Sequence, residues 1–166
     1  GRFDQYMFPF FISDLKKGIL TEETALELIE ELFLSLNRDS DLYVGVQQGD
    51  NGQSLMLGGM TEHGEGFNKL SELCLKASCN LRLIDPKINL RVSAETPDYI
   101  YTLGSRLTKY GLGFPQYSND DVVIPGLINY GYEPEDAMNY TVAACWEFII
   151  PSVGEDVNNI AALSFP

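Results

Sequence analysis

The chain has 166 residues, 45% hydrophobic and 11% aromatic, which suits one globular domain with a real core and excludes a disordered chain. Its formal net charge is −13, from 24 acids against 11 bases, and no cluster of Lys and Arg is present to neutralise phosphates, which excludes nucleic-acid and anionic-membrane surfaces. No apolar run reaches the ~18 residues that a membrane span needs, and no secretory leader pattern opens the chain, so a cytoplasmic protein is expected.

The opening GRFDQYMFPFFISDLKKGIL starts abruptly and the closing NNIAALSFP stops on an apolar segment, so both ends read as truncated. From Thr21, TEETALELIEELFLSLNRDS predicts a helix. Thr21 is its N-cap, Glu22 and Glu23 occupy the first turn, and Ala25, Leu28, Leu32 and Leu36 form the core stripe, flanked by Ile29 and Phe33. DLYVGVQQG and QSLMLGG read as extended segments around the turn GDNG, and GGMTEHGEG reads as a glycine-rich turn with a solvated His63. FNKLSELCLKAS places Leu70, Leu73, Cys74 and Ala77 on one helical face, which makes Cys74 a core residue.

INLRVSA is a predicted strand. In TPDYIYTLGSRLTKYG, Thr96 reads as N-cap and Pro97 as first helical residue, with an Ile100, Leu103, Leu107 stripe and Gly111 as terminator. FPQYS is a short strand, NDDVVIPGLINYG a helix interrupted or begun near Pro125, YEPEDAMNY a short helix, and TVAACWEFII a final extended run. Asp120 and Asp121 fit the first turn of their helix better than a pocket wall. Strands alternating with helices over short loops predict an α/β fold with parallel neighbours.

Three cysteines, Cys74, Cys79 and Cys145, are too few and too irregular for a disulfide framework, and with a single histidine they make no metal site. Chemistry concentrates in AACWEFIIP, residues 143 to 151. On an extended run, alternation would put Cys145 and Glu147 on one face and Trp146 on the other. Nothing cationic is nearby, and a carboxylate opposes a thiolate, so this is not a Cys-His nucleophile. Two readings remain for these residues taken alone: core packing, or a neutral S–H hydrogen-atom donor beside a carboxylate base.

GRFDQYMFPFF at 1–11, LGGM at 57–60, INLRV at 88–92, TPD at 96–98, SNDDVVIP at 118–125 and ACWE at 144–147 together resemble the catalytic domain of glycyl radical enzymes. That family includes pyruvate formate-lyase and the related diol dehydratases, choline lyase and arylacetate decarboxylases. The resemblance implies a barrel of two antiparallel half-barrels, ten strands in all, wrapped in helices. Residues 1–166 would be a single partial domain of it, about one half-barrel of parallel strands.

By the same resemblance, Cys145 is the residue that becomes a thiyl radical and abstracts a substrate hydrogen, and Glu147 is the general base. No organic cofactor would be bound. The glycyl radical would lie outside this segment, since an Arg-Val-x-Gly-Tyr type motif is absent from it, and would be installed by an activating enzyme using S-adenosylmethionine and an iron-sulfur cluster. The implied partners are a small oxygenated organic substrate, that activating enzyme, and a second copy in a homodimer of the full-length, anaerobic parent.

One departure bears on the reaction. Pyruvate formate-lyases carry two adjacent cysteines, whereas Ala144 precedes Cys145 here. This points away from acyl transfer and toward the dehydratase, lyase and decarboxylase branch, with a formate acetyltransferase-like reaction as the enzyme alternative. A non-catalytic module, keeping the barrel without the radical, is the alternative of a different class.

Overall fold

In the computed structural model the described residues are 1–38, 52–143 and 147–154. The extended segment expected at DLYVGVQQG and the apolar segment NNIAALSFP lie outside them.

Three helices open the chain: α1 (Phe3–Tyr6), α2 (Phe8–Lys16) and α3 (Glu22–Asn37). Thr21 caps α3 as predicted, its hydroxyl accepting from the Thr24 N–H while the Thr24 hydroxyl accepts from the Thr21 N–H. The buried stripe of α3 differs from the expected one. Ala25, Ile29 and Phe33 are buried, whereas Leu28 and Leu32 stand 59% and 38% exposed in a groove shared with Phe3, Met7 and Phe10. The apolar arc of α3 is wider than the surface α4 covers, so the residues centred on that contact are the ones buried.

The central unit alternates strand and helix: β1 (Ser54–Gly58), α4 (Lys69–Leu81), β4 (Lys87–Val92), α5 (Asp98–Thr108) and β5 (Gln116–Asn119). A hairpin of β2 (Met60–Thr61) and β3 (Gly64–Glu65) interrupts the first crossover, with His63 exposed at its turn as expected. The three longer strands form one parallel sheet in the order β1-β4-β5. Alternation along them divides the sheet. Leu55, Leu57, Ile88, Leu90 and Val92 join the α3–α4–α5 core, which also holds Leu70, Leu73, Cys74, Ala77, Ile100 and Leu107.

The other face presents Met56, Asn89 and Arg91 to the rest of the chain: α6 (Asp120–Tyr130), α7 (Pro134–Met138), β6 (Thr141–Ala143) and β7 (Glu147–Ile149). Met56, Tyr140, Val142 and Ile150 make a second core there, backed by Val123, Ile124 and Leu127. Two boundary expectations need correction. Helix α6 runs through Pro125 without a break, and α5 begins at Asp98 with Pro97, not Thr96, at the cap position. The Thr96 hydroxyl is engaged instead, accepting from the Ser93 N–H at 2.9 Å and donating to Glu65 Oε2 at 2.6 Å. No described helix is long and apolar enough to cross a membrane.

Candidate active site

The expected continuous strand over TVAACWEFII is replaced by an antiparallel pair. Thr141 faces Ile149, Val142 faces Phe148 and Ala143 faces Glu147, so the chain reverses direction between Ala143 and Glu147. Alternation along one strand therefore no longer relates Cys145 to Glu147. Glu147 sits half-buried at the start of β7. Cys145, with Ala144 and Trp146, lies outside the described residues.

Beneath this hairpin, at the carboxyl ends of all three parallel strands, lies a buried polar cluster. Ligands of open α/β sheets usually bind at such strand ends. Here Arg91 at the end of β4 meets Asp120 in the first turn of α6, with both side chains fully buried. The pair is bidentate, Nε to Oδ1 and Nη2 to Oδ2, each 2.8 Å. Tyr140 donates its hydroxyl to Asp120 Oδ1 at 2.6 Å, and the Met60 N–H donates to Oδ2 at 2.6 Å. Four donors therefore saturate one carboxylate, and Asp120 has no lone pair left for substrate chemistry.

Arg91 engages four of its five N–H donors, two of them on Asp120. Its Nη1 donates to the carbonyls of Met138 at 3.0 Å and Tyr140 at 3.2 Å, and its guanidinium carbon lies 4.0 Å from the centre of the Tyr140 ring. Burial pushes the Tyr140 phenol far above its ordinary pKa, although the Arg91 charge opposes this, so the hydroxyl stays a donor. The other edge of Tyr140 meets Phe148 in a T-shaped contact, ring centres 5.5 Å apart.

The GRFDQY opening docks on the same ends. Arg2 donates to the carbonyls of Gly58 at 3.3 Å, Met60 at 3.4 Å and Met138 at 3.4 Å. Desolvation, then the nearby Arg91 charge, lowers the Arg2 pKa to about 10. Asp4 is buried and accepts from the Gly58 N–H at 2.7 Å and the Ser71 hydroxyl at 2.5 Å. Burial raises its pKa, with those two hydrogen bonds pulling the other way. Both residues hold the opening to the strand ends. Asp121 accepts from the Ala94 N–H at 2.7 Å, so it too is held by backbone.

The sequence left Arg91 and Tyr140 unassigned. One signal was available for Arg91: a charge between Leu90 and Val92 on a buried strand must have a partner. Tyr140 carried none, because its partners Asp120 and Arg91 lie 20 and 49 positions away. Among the described residues no group of three or more His, Cys, Asp or Glu is placed to hold a metal.

The pyruvate formate lyase-like family model matches residues 1–164. An isethionate sulfite-lyase of Oleidesulfovibrio alaskensis is 32% identical over 98% of this chain and 21% of its own length. A (2S)-3-sulfopropanediol dehydratase of Klebsiella oxytoca is 34% identical over 89% of this chain and 19% of its own length. A solved structure from Roseburia inulinivorans, concerned with 1,2-propanediol dehydration, superposes with a TM-score of 0.82 at 35% identity over 91% of this chain and 19% of its own. The chain thus spans about a fifth of the length of these relatives.

Proposed function

Because the chain belongs to the pyruvate formate lyase-like family of glycyl radical enzymes, we propose that it is the part of a longer lyase or dehydratase that supplies the hydrogen-relay cysteine and the general base. Cys145 passes its S–H hydrogen atom to the glycyl radical, carried elsewhere in the parent and installed by a separate activating enzyme using S-adenosylmethionine and an iron-sulfur cluster. The resulting thiyl removes a hydrogen atom from a substrate carbon and becomes a thiol again. Glu147 takes the hydroxyl proton at that carbon as the neighbouring bond to the leaving group breaks. Cys145 then returns a hydrogen atom to the product radical.

The observation that carries this reading is position: Glu147 is half-buried at the start of β7, on the hairpin that closes over the carboxyl ends of the parallel strands, two residues from Cys145 in the chain. Hydrogen-atom exchange favours a neutral thiol, and the apolar neighbours Ala143 and Phe148 leave it without a cation. Substrate class follows from the relatives as small oxygenated molecules, and elimination is preferred to acyl transfer because Ala144 stands where a second cysteine would be needed.

The test uses the full-length parent, activated without oxygen and assayed on isethionate, (2S)-3-sulfopropanediol and 1,2-propanediol. Wild type is expected to turn over at least one of them. Cys145→Ala should accumulate the glycyl radical signal with no turnover, and Glu147→Gln should lose roughly 10²- to 10⁴-fold in kcat, the usual contribution of a positioned base. Turnover by Cys145→Ala with the radical present removes the assignment.

A further inference from the structure

We infer that Tyr140, held by Asp120 and Arg91, is a positioning residue for Glu147, so that the space at the strand ends where a ligand would ordinarily bind is used to fix the hairpin that carries the base. The inference rests on the reading of Glu147 as that base.

Three observations carry it. Tyr140 immediately precedes β6, and its ring, hydroxyl and carbonyl are all engaged: the ring between Arg91 and Phe148, the hydroxyl on Asp120, the carbonyl on Arg91. Phe148 is the chain neighbour of Glu147 and pairs with Val142, so whatever rotates Tyr140 also tilts β7. The anchors gather at three strand ends, with the Met60 N–H two residues past β1, Arg91 in β4 and Asp120 directly after β5, which ties the hairpin to the end of the parallel sheet.

A buried ion pair of this kind gives little stability relative to apolar packing of the same volume. What it does give is direction: the bidentate fork fixes the carboxylate plane, and that plane fixes where the Tyr140 hydroxyl must lie. Met56, Val142 and Ile150, the other buried members of the second core, are apolar and make no demand on the ion pair. A cluster that orients more than it stabilises is what a base held at hydrogen-bond tolerance requires.

Asp120→Asn would leave Arg91 buried without its counter-charge and would report on folding, so the informative variant is Tyr140→Phe. It keeps the ring between Arg91 and Phe148 and removes only the hydroxyl bond. In the full-length parent, with the isethionate, (2S)-3-sulfopropanediol and 1,2-propanediol assays, Tyr140→Phe is expected to lower kcat about tenfold or more while KM and the glycyl radical signal per subunit stay at wild-type values. In a Glu147→Gln background, with product followed by mass spectrometry over long incubations, the same change should cost nothing further, because residues that act through one group are not additive. Unchanged kcat in Tyr140→Phe, a loss matched by loss of radical, or the same fold loss in both backgrounds overturns the inference. Wild-type kcat in Glu147→Gln alone is a different failure: it removes the base assignment, and the positioning role falls with it.

Discussion

Asp4 is a carboxylate buried against the end of β1, and its environment dictates a sign for its effect on stability. Burial raises its folded pKa above the unfolded value of about 3.9, and the hydrogen bonds from Gly58 and Ser71 only partly oppose this. Between the unfolded and the folded pKa the native state therefore binds more protons, and this residue's contribution falls as pH rises through that window. Urea midpoints of wild type and Asp4→Asn, measured from about pH 3 to 7, should show the difference shifting in favour of the variant with rising pH. A difference that shifts the other way would mean that the hydrogen bonds outweigh burial. Nothing local in GRFDQY names the partners of Arg2 and Asp4. The Arg2 acceptors, the carbonyls of Gly58, Met60 and Met138, lie 56 to 136 positions away, and the Asp4 donors Gly58 and Ser71 lie 54 and 67 positions away.

At the scale of elements, the turn after β1 depends on the anchor beneath it. Gly59 has φ +86°, and a Cβ there would stand 2.7 Å from both Cβ and Cδ of Arg91, a side chain held in place by its two bonds to Asp120. Gly18 has φ +69° with nothing within 4 Å. Gly18→Ala should therefore cost about 1 kcal/mol for backbone strain alone, and Gly59→Ala roughly 3 kcal/mol or more once overpacking is added. Equal costs, compared by denaturant midpoint, would show that Arg91 yields.

The same comparison of local and distant causes explains which elements were legible. Helix α4 was read correctly because Leu70, Leu73, Cys74 and Ala77 are all covered, so its period alone located the core. Helix α3 has apolar residues over a wider arc, and its tertiary contacts, chiefly with α4, bury Ile29 and Phe33 and leave Leu28 and Leu32 exposed. The β6–β7 reversal had no signal at all, since AACWEF contains none of the Gly, Pro, Asn or Asp residues that mark turns. Glu147 is singled out by its spacing from Cys145 and its place in the ACWE stretch, while the meeting of Tyr140, Asp120 and Arg91 exists only in the folded chain.

For the molecule as a whole, two strand-helix-strand crossovers build a parallel sheet, the helices cover one face, and the hairpin bearing Glu147 is anchored across the other. This division puts the proposed chemistry on the face away from the α3–α4–α5 core. The central claim is that a sulfur-borne hydrogen atom links the glycyl radical to the substrate, and Cys145→Ser tests it with the least disturbance. Serine nearly keeps the shape, but its O–H bond is too strong to give a hydrogen atom to a glycyl radical. Turnover per glycyl radical, with the radical quantified by electron paramagnetic resonance in the anaerobically activated parent, should be normal for wild type and undetectable for Cys145→Ser at equal radical content. Turnover by the serine variant would contradict the account.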